Sequence, residues 1–408
     1  MTAAPEYEVV IAGGGLAGAS LACALAGTGR RIAVVEATPL QAEHQPSYDD
    51  RGLALALSSQ RILEGLGLWA DLAGNASPIR RVHVSDRGHF GFVHLDAAEL
   101  DLPALGFVVI ARAIGKVLID RLQAAPAIDL HCPAEVTGIR VGSDSVETVI
   151  STGGEAKTLS SRLLVGADGA NSSVRRLLGI TAKEKDYGQT AIVSNVTPAR
   201  PHNDTAYERF TATGPVALLP LTLQRCALVY TVPSAEAEQT LALNEEAFLA
   251  CLQDRFGYRL GRFLRVGMRR AYELRMIAAR TQVGGRVVLL GNAAHTLHPN
   301  AAQGFNLGLR DVAGLAECLV PALREGVDPG ECQRLDNYLA SRRADQHRVL
   351  RFTDSLATLF YSDLPHKVLL RDALMLATDL TPWFKRSFLR RATGLSGRQP
   401  ALVRGVPL

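Results

Sequence analysis

Near the amino terminus the run Gly13-Gly14-Gly15-Leu16-Ala17-Gly18 has the spacing GxGxxG. Glycines so spaced let a backbone come close to a phosphate. Gly13 permits a tight turn, Gly15 admits a pyrophosphate against the main chain, and Gly18 lets a helix lie close on a strand. The helix opening at Leu16 and Ala17 would turn its free N–H groups and positive dipole end toward the anion. Glu36, roughly 20 residues beyond the glycines as such sites require, is placed to accept from adenosine ribose hydroxyls. A carboxylate there repels a 2′-phosphate. These residues predict a bound dinucleotide but do not separate NAD from FAD.

The elements that must hold this turn are legible around it. Tyr7–Ala12 (YEVVIA) reads as a buried parallel strand, Leu16–Ala26 as a helix, and residues 31–35 as a second strand ending at Glu36. Two later apolar strands end in polar tips as well. Residues 163–169 (LLVGADG) carry Asp168 and run into Asn171-Ser172-Ser173-Val174-Arg175. Residues 286–290 (RVVLL) lead to Gly291-Asn292-Ala293-Ala294-His295, then Pro299, then Ala302-Gln303-Gly304-Phe305-Asn306 at the start of a helix. Open α/β sheets bind ligands beyond the carboxyl ends of their strands, so three such tips predict one elongated ligand.

The three motifs in this order resemble the para-hydroxybenzoate-hydroxylase-like FAD monooxygenases. Within that family the chain is most similar to the ubiquinone-biosynthesis hydroxylases of the 2-polyprenyl-6-methoxyphenol hydroxylase type. The closer likeness is carried by residues 48–55 (YDDRGLAL), 85–91 (SDRGHFG) and 291–311, and the resemblance covers nearly the whole chain. It implies an α/β fold: a Rossmann-like FAD-binding domain, an inserted antiparallel β-sheet substrate domain, and C-terminal helices. It implies FAD with its ADP half on Gly13, Gly15, Leu16, Ala17, Gly18 and Glu36. Arg51 and Arg112 would serve the phosphate and ribityl region, and Val136 would meet adenine through its backbone. Asp168 would bond the linking region and Asn292 a ribityl hydroxyl. The N–H groups of Gly304, Phe305 and Asn306 would face the flavin edge that becomes negative on reduction. The implied reaction is hydroxylation of a polyprenylated phenol by molecular oxygen through a C4a-hydroperoxide, with NADPH or NADH as transient reductant. No protein residue is singled out as nucleophile or general base. Two positions depart from the family pattern: Asn292 replaces the usual aspartate, and Ala302 replaces a glycine whose φ, if positive, would strain alanine.

The domain boundaries expected are 1–180 with 265–330 for the FAD-binding domain, 70–110 with 181–264 for the substrate-side sheet, and 331–408 for the helical region. Alternating strands at 191–196, 207–211, 216–221 and 226–232 build that sheet, with Leu218, Pro220 and the loop residue Pro299 on the substrate side. Helices follow at 333–359 and 366–393, broken at Pro382. Residues 383–391 mix aromatics with the cations Lys385, Arg386, Arg390 and Arg391, a composition that suits an interfacial helix on the inner membrane face. It equally suits packing on the protein's own core, in a biosynthetic complex or in a homo-oligomer.

Composition narrows the class. Of 408 residues, 47% are hydrophobic and 21% charged, the balance of a globular protein, and a net charge of +4 with no aromatic-laced basic block before the C-terminal region gives no reason to expect a nucleic-acid partner. The six cysteines have no CxxC spacing and read as reduced cytoplasmic thiols. The uncharged stretch 9–29 is long enough to span a membrane, but its glycines serve the turn above. His295 and His298 have no third metal ligand placed with them and read as satisfied loop histidines. Two other functions use the same motifs: reduction of isoprenoid double bonds, and a non-catalytic FAD-binding subunit of a biosynthetic complex.

Overall fold

The structure, a computed structural model, describes residues 5–40, 49–298, 302–360 and 365–408, the side chains of 365–367 excepted. Tyr7–Ala12 forms the middle of a parallel sheet because both its faces are apolar. Val9 and Ile11 enter one core cluster with Leu21, Leu309 and Val312, while Val10 and Ala12 enter a second with Leu164, Val174 and Ile150. On one side it pairs in parallel with Ile32–Val35 and then Ile128–His131, and on the other with Glu155–Gly166 and then Val287–Leu289. The carboxyl ends therefore lie along one edge. The amino-terminal half of Glu155–Gly166 continues into an antiparallel meander with Val146–Thr152 and Glu135–Val141.

A second sheet of nine strands is centred on Ala182–Pro198. This strand pairs with Cys226–Pro233 and Arg270–Ala279. Its charged first half is held by pairing with Arg270–Ala279, so it runs well beyond the 191–196 expected from alternation alone. Beyond Cys226–Pro233 come Val216–Pro220, Thr205–Phe210, Arg81–Asp86 and Phe92–Asp96. One face of this sheet sets Ile192, Leu218, Leu228 and Tyr230 against Phe248, Leu252 and Phe256 of the helix Glu245–Phe256. The opposite face sets Ala206, Leu221 and Ala227 against a three-stranded sheet of Gly52–Ala56, Gly106–Ile110 and Ser77–Ile79. A Cβ on Gly52 would stand 2.4 Å from that of Ala227, so glycine is what lets the two sheets meet here.

The long helix Gln303–Glu325 covers the parallel sheet beside Leu16–Ala26. Cys332–Phe360, Pro365–Leu380 and Pro382–Ala392 complete the chain, with Pro382 in the first turn of its helix, where its missing N–H costs nothing. The architecture is α/β, with a Rossmann-like layer, a large sheet that is antiparallel except where Thr205–Phe210 pairs in parallel with Arg81–Asp86, and C-terminal helices. Among the described residues no helix is long and apolar enough to cross a membrane.

Candidate cofactor and active site

The first strand tip is shaped by its backbone. Gly13 has φ +103°, and a Cβ on it would lie 2.5 Å from the Ala167 carbonyl oxygen. A Cβ on Gly18 would lie 2.0 Å from the Gly13 oxygen. Helix Leu16–Ala26 opens at Gly15 with no side-chain cap and no acid in its first turn, which leaves its N-terminal field directed at an incoming anion. Glu36 is 8% exposed, and its two carboxylate oxygens accept from the N–H of Gly14 at 2.7 Å and of Thr38 at 2.8 Å. A cradle that any side chain would fill, an uncapped helix and an acid at the second strand tip together fit an adenine dinucleotide.

At the second tip, Asp168 accepts from Ser172 Oγ at 2.5 Å and from the Val174 N–H at 3.0 Å, so its carboxylate shapes the turn into the helix Ser173–Leu177. Gly169, at φ +84°, faces open space. Arg175 donates to the carbonyls of Ala170 at 2.7 Å and Ala293 at 2.9 Å, which fastens the second tip to the third. At the third tip Gly291 lies against Ala17, and the Asn292 side chain is exposed.

Ala302 has φ +49° and ψ +37°, the left-handed conformation expected at a family glycine, and it directly precedes the uncapped start of Gln303–Glu325. The Asn306 side chain, 2% exposed, accepts from the Ala56 N–H and Ser59 Oγ at 2.7 Å each and donates to the carbonyls of Ala54 at 2.8 Å and Ala302 at 2.7 Å. With its amide fully engaged, Asn306 rivets the helix start to the strand Gly52–Ala56. What this helix start has for a ligand is its backbone, through Gly304 and Phe305. Because an L-residue in the left-handed region costs about 1 kcal/mol, Ala302→Gly is expected to raise the melting temperature slightly, and a lower melting temperature would contradict that assignment of strain.

Arg51 bonds Asp49 at 2.8 Å and lies 4.6 Å from the Tyr272 ring centroid, while the Tyr272 hydroxyl donates to Asp49. Burial, then the bond to Asp49, raises the Tyr272 pKa. Arg112 forms an exposed pair with Asp50 at 3.0 Å. Its backbone N–H donates to the Asp49 carbonyl, which places residues 49–51 beside 111–112. Val136 is half-buried in Glu135–Val141, opposite Ile150. Pro299 lies outside the described residues. Leu218, expected on the substrate side, instead faces the helix Glu245–Phe256, and alternation places Pro220 with it. Ala217 and Leu219 take the face toward the three-stranded sheet.

A buried ionic chain, unseen in the sequence, braces the third tip from behind. His295 Nε2 lies 2.6 Å from Asp311 Oδ2, and Arg342 Nε donates to the other Asp311 oxygen at 2.7 Å. Arg342 and Arg310 both reach Asp345, at 2.7 and 2.8 Å. Burial pushes the Asp311 carboxyl up, but Arg342 and the bond from His295 outweigh it and hold it down to about 2. His298 is buried edge-on to Tyr187, their centroids 4.6 Å apart.

Comparison with known proteins agrees with this geometry. The FAD binding domain family model matches residues 6–353, and the chain belongs to that family. It is an FAD-dependent monooxygenase. A ubiquinone hydroxylase, UbiL, of Rhodospirillum rubrum is 42% identical over 98% of this chain and 93% of its own length. The 3-demethoxyubiquinol 3-hydroxylase of Escherichia coli is 33% identical over 95% of this chain and 98% of its own. Among solved structures, p-nitrophenol 4-monooxygenase PnpA of Pseudomonas putida superposes with a TM-score of 0.79 at 22% identity, covering 96% of this chain and 99% of that one, and so shares the fold.

Proposed function

We propose that this monooxygenase hydroxylates a polyprenylated phenol in ubiquinone biosynthesis, with NADPH or NADH as electron donor. The reading rests above all on the meeting of three strand tips with an uncapped helix start, beside a sheet face of small apolar residues. The names of the two relatives support the substrate class.

Gly13, Gly15, Leu16, Ala17, Gly18 and Glu36 would hold the adenosine diphosphate half of FAD, with Val136 at adenine. Arg51, Arg112, Asp168 and Asn292 would serve the phosphates and ribityl chain. When bound, FAD supplies electron transfer and oxygen activation, the chemistry the side chains lack. The protein contributes placement and charge. The N–H groups at Gly304 and Phe305 favour negative charge in front of the helix. Ala217, Val193 and Val229 present an apolar floor that keeps water from the ring.

Peripheral membrane contact through the last helices belongs to the same proposal, since a polyprenyl chain partitions into lipid. Leu369, Leu370, Leu374, Leu380, Trp383 and Phe384 are exposed beside Arg386, Arg390 and Arg391, an arrangement that supports contact with an anionic surface. Lys385 is turned inward to Glu99 and Asp379, both at 3.3 Å. The test is turnover of a farnesylated phenol carried in anionic vesicles. Expected are co-flotation of protein with vesicles, NADPH consumption that requires both phenol and oxygen, and a product heavier by one oxygen atom. A product heavier by two hydrogens, or a bound flavin that NAD(P)H never reduces, overturns the hydroxylase reading. Protein that remains off the vesicles overturns the membrane contact.

A further inference from the structure

The second sheet carries one acid that neither the cofactor site nor the fold employs. Strand Thr205–Phe210 alternates its side chains. Tyr207 packs with the helix-side cluster and Arg209 donates to the Phe256 carbonyl, so both face the helix Glu245–Phe256. Ala206 joins the cluster toward the three-stranded sheet, and Phe210 stacks on Phe360 with centroids 3.6 Å apart. Glu208 lies between Ala206 and Phe210 on that same inner face.

Register shows what surrounds it. Glu208 pairs with Ala217 on one side and Val84 on the other; Ala217 pairs with Val229, Val229 with Val193, and Val193 with Arg270. Paired residues share a face, so one row across the sheet reads Arg270, Val193, Val229, Ala217, Glu208, Val84. The rows on either side of it include Tyr272, which stacks with Arg51, and Ala227, which a Cβ on Gly52 would meet. Between those rows it presents four small apolar side chains, Val193, Val229, Ala217 and Val84, and one carboxylate.

Among the described residues Glu208 has no hydrogen-bond or ion-pair partner. Its side chain is half-buried on that inner face, between the buried Ala206 and Phe210. A buried carboxylate without a partner is costly unless something else bonds to it.

We infer that Glu208 is a catalytic residue of this monooxygenase, accepting the hydrogen bond, and during reaction the proton, of the substrate's ring hydroxyl. The inference rests on the phenol reading above. In the step, the phenolic O–H proton passes to a Glu208 carboxylate oxygen as the O–H bond breaks. Its electron pair stays on the ring oxygen and enriches the carbon that is attacked, and the proton then leaves Glu208 for solvent. Burial alone pushes the Glu208 carboxyl up to about 7, where a group both takes and releases protons readily near neutrality. The other charged groups nearby are engaged or lie elsewhere. Asp86, on the neighbouring strand, is ion-paired with Arg371; Arg209 faces the opposite side; Arg270 stands at the far end of the row.

The experiment compares the holoenzyme with Glu208→Gln and Glu208→Asp, using a farnesylated phenol. In Glu208→Gln, kcat is expected to fall about 100-fold with little change in KM, and the rise of kcat with pH through about 7 is expected to vanish. Glu208→Asp should restore part of both. Infrared difference spectra of the resting holoenzymes give a readout independent of turnover: a carboxylic-acid band that grows as pH falls through about 7 in the wild type and is missing from Glu208→Gln. If the wild type hydroxylates the phenol while Glu208→Gln keeps its kcat and pH profile, the assignment is wrong and the function reading stands. If the wild type hydroxylates no phenol, the function reading fails and takes this assignment with it.

Discussion

Gly13→Ala is expected to yield a protein that does not retain flavin. Its φ of +103° is closed to alanine, and the added Cβ would meet the Ala167 oxygen at 2.5 Å and the Asp168 Cα at 2.8 Å. Backbone must shift at the first and second strand tips together. The strain alone is about 1–3 kcal/mol, and the clash adds to it, while the phosphate cradle loses its shape. The check is the ratio of flavin to protein absorbance after purification, with the melting temperature of each sample. Gly27→Ala is the control, since it has φ −73° and no atom within 4 Å of its added Cβ. Retention of flavin by Gly13→Ala equal to that of Gly27→Ala would show that the cradle is not where FAD binds.

Asp311→Ala is the second large effect. It leaves Arg342, 2% exposed, with one of its two carboxylate partners, Asp345, and removes the acceptor that holds His295. Breaking such a pair by deleting one member costs about 3–5 kcal/mol, expected as an early thermal transition. The pH dependence follows from the direction of the shift. The folded-state carboxyl is held down to about 2, below its ordinary value of 3.8. Its stabilising contribution is thus complete above that ordinary value and is lost as pH falls through about 2. In Asp311→Asn that part of the acid limb should flatten. A melting temperature equal to wild type in both variants would show that the ionic chain carries no stability.

Those two sites differ in how far the sequence reveals them. The Gly13 turn is legible because everything that specifies it is local: strand, glycines and helix are contiguous, and the helix appears at Leu16–Ala26 as its alanines and leucines predict. The Asp311 chain is not legible, because its members lie 16 and 31 residues from Asp311 and meet only when helices pack. Val216–Pro220 shows another limit. VALLP is apolar at every position, so period-two reasoning cannot say which side faces the helix Glu245–Phe256 and which the three-stranded sheet, and Leu218 falls on the helix side. Glu208 left a faint signal, an acid between apolar inward positions of a strand, but its inward direction depends on pairing with Val84, far away in the chain. Ala302 was the opposite case: a single departure from a motif located a left-handed residue.

The strand tips are fastened to one another by the polypeptide itself, through Gly14 to Glu36, Ser172 and Val174 to Asp168, and Arg175 to both Ala170 and Ala293. Chain folding therefore bears the entropy of ordering these loops, and ligand association does not. Such a preassembled receptacle is expected to survive removal of its guest, so that flavins altered at the ring exchange into it and differences in their affinity report the contacts each one makes.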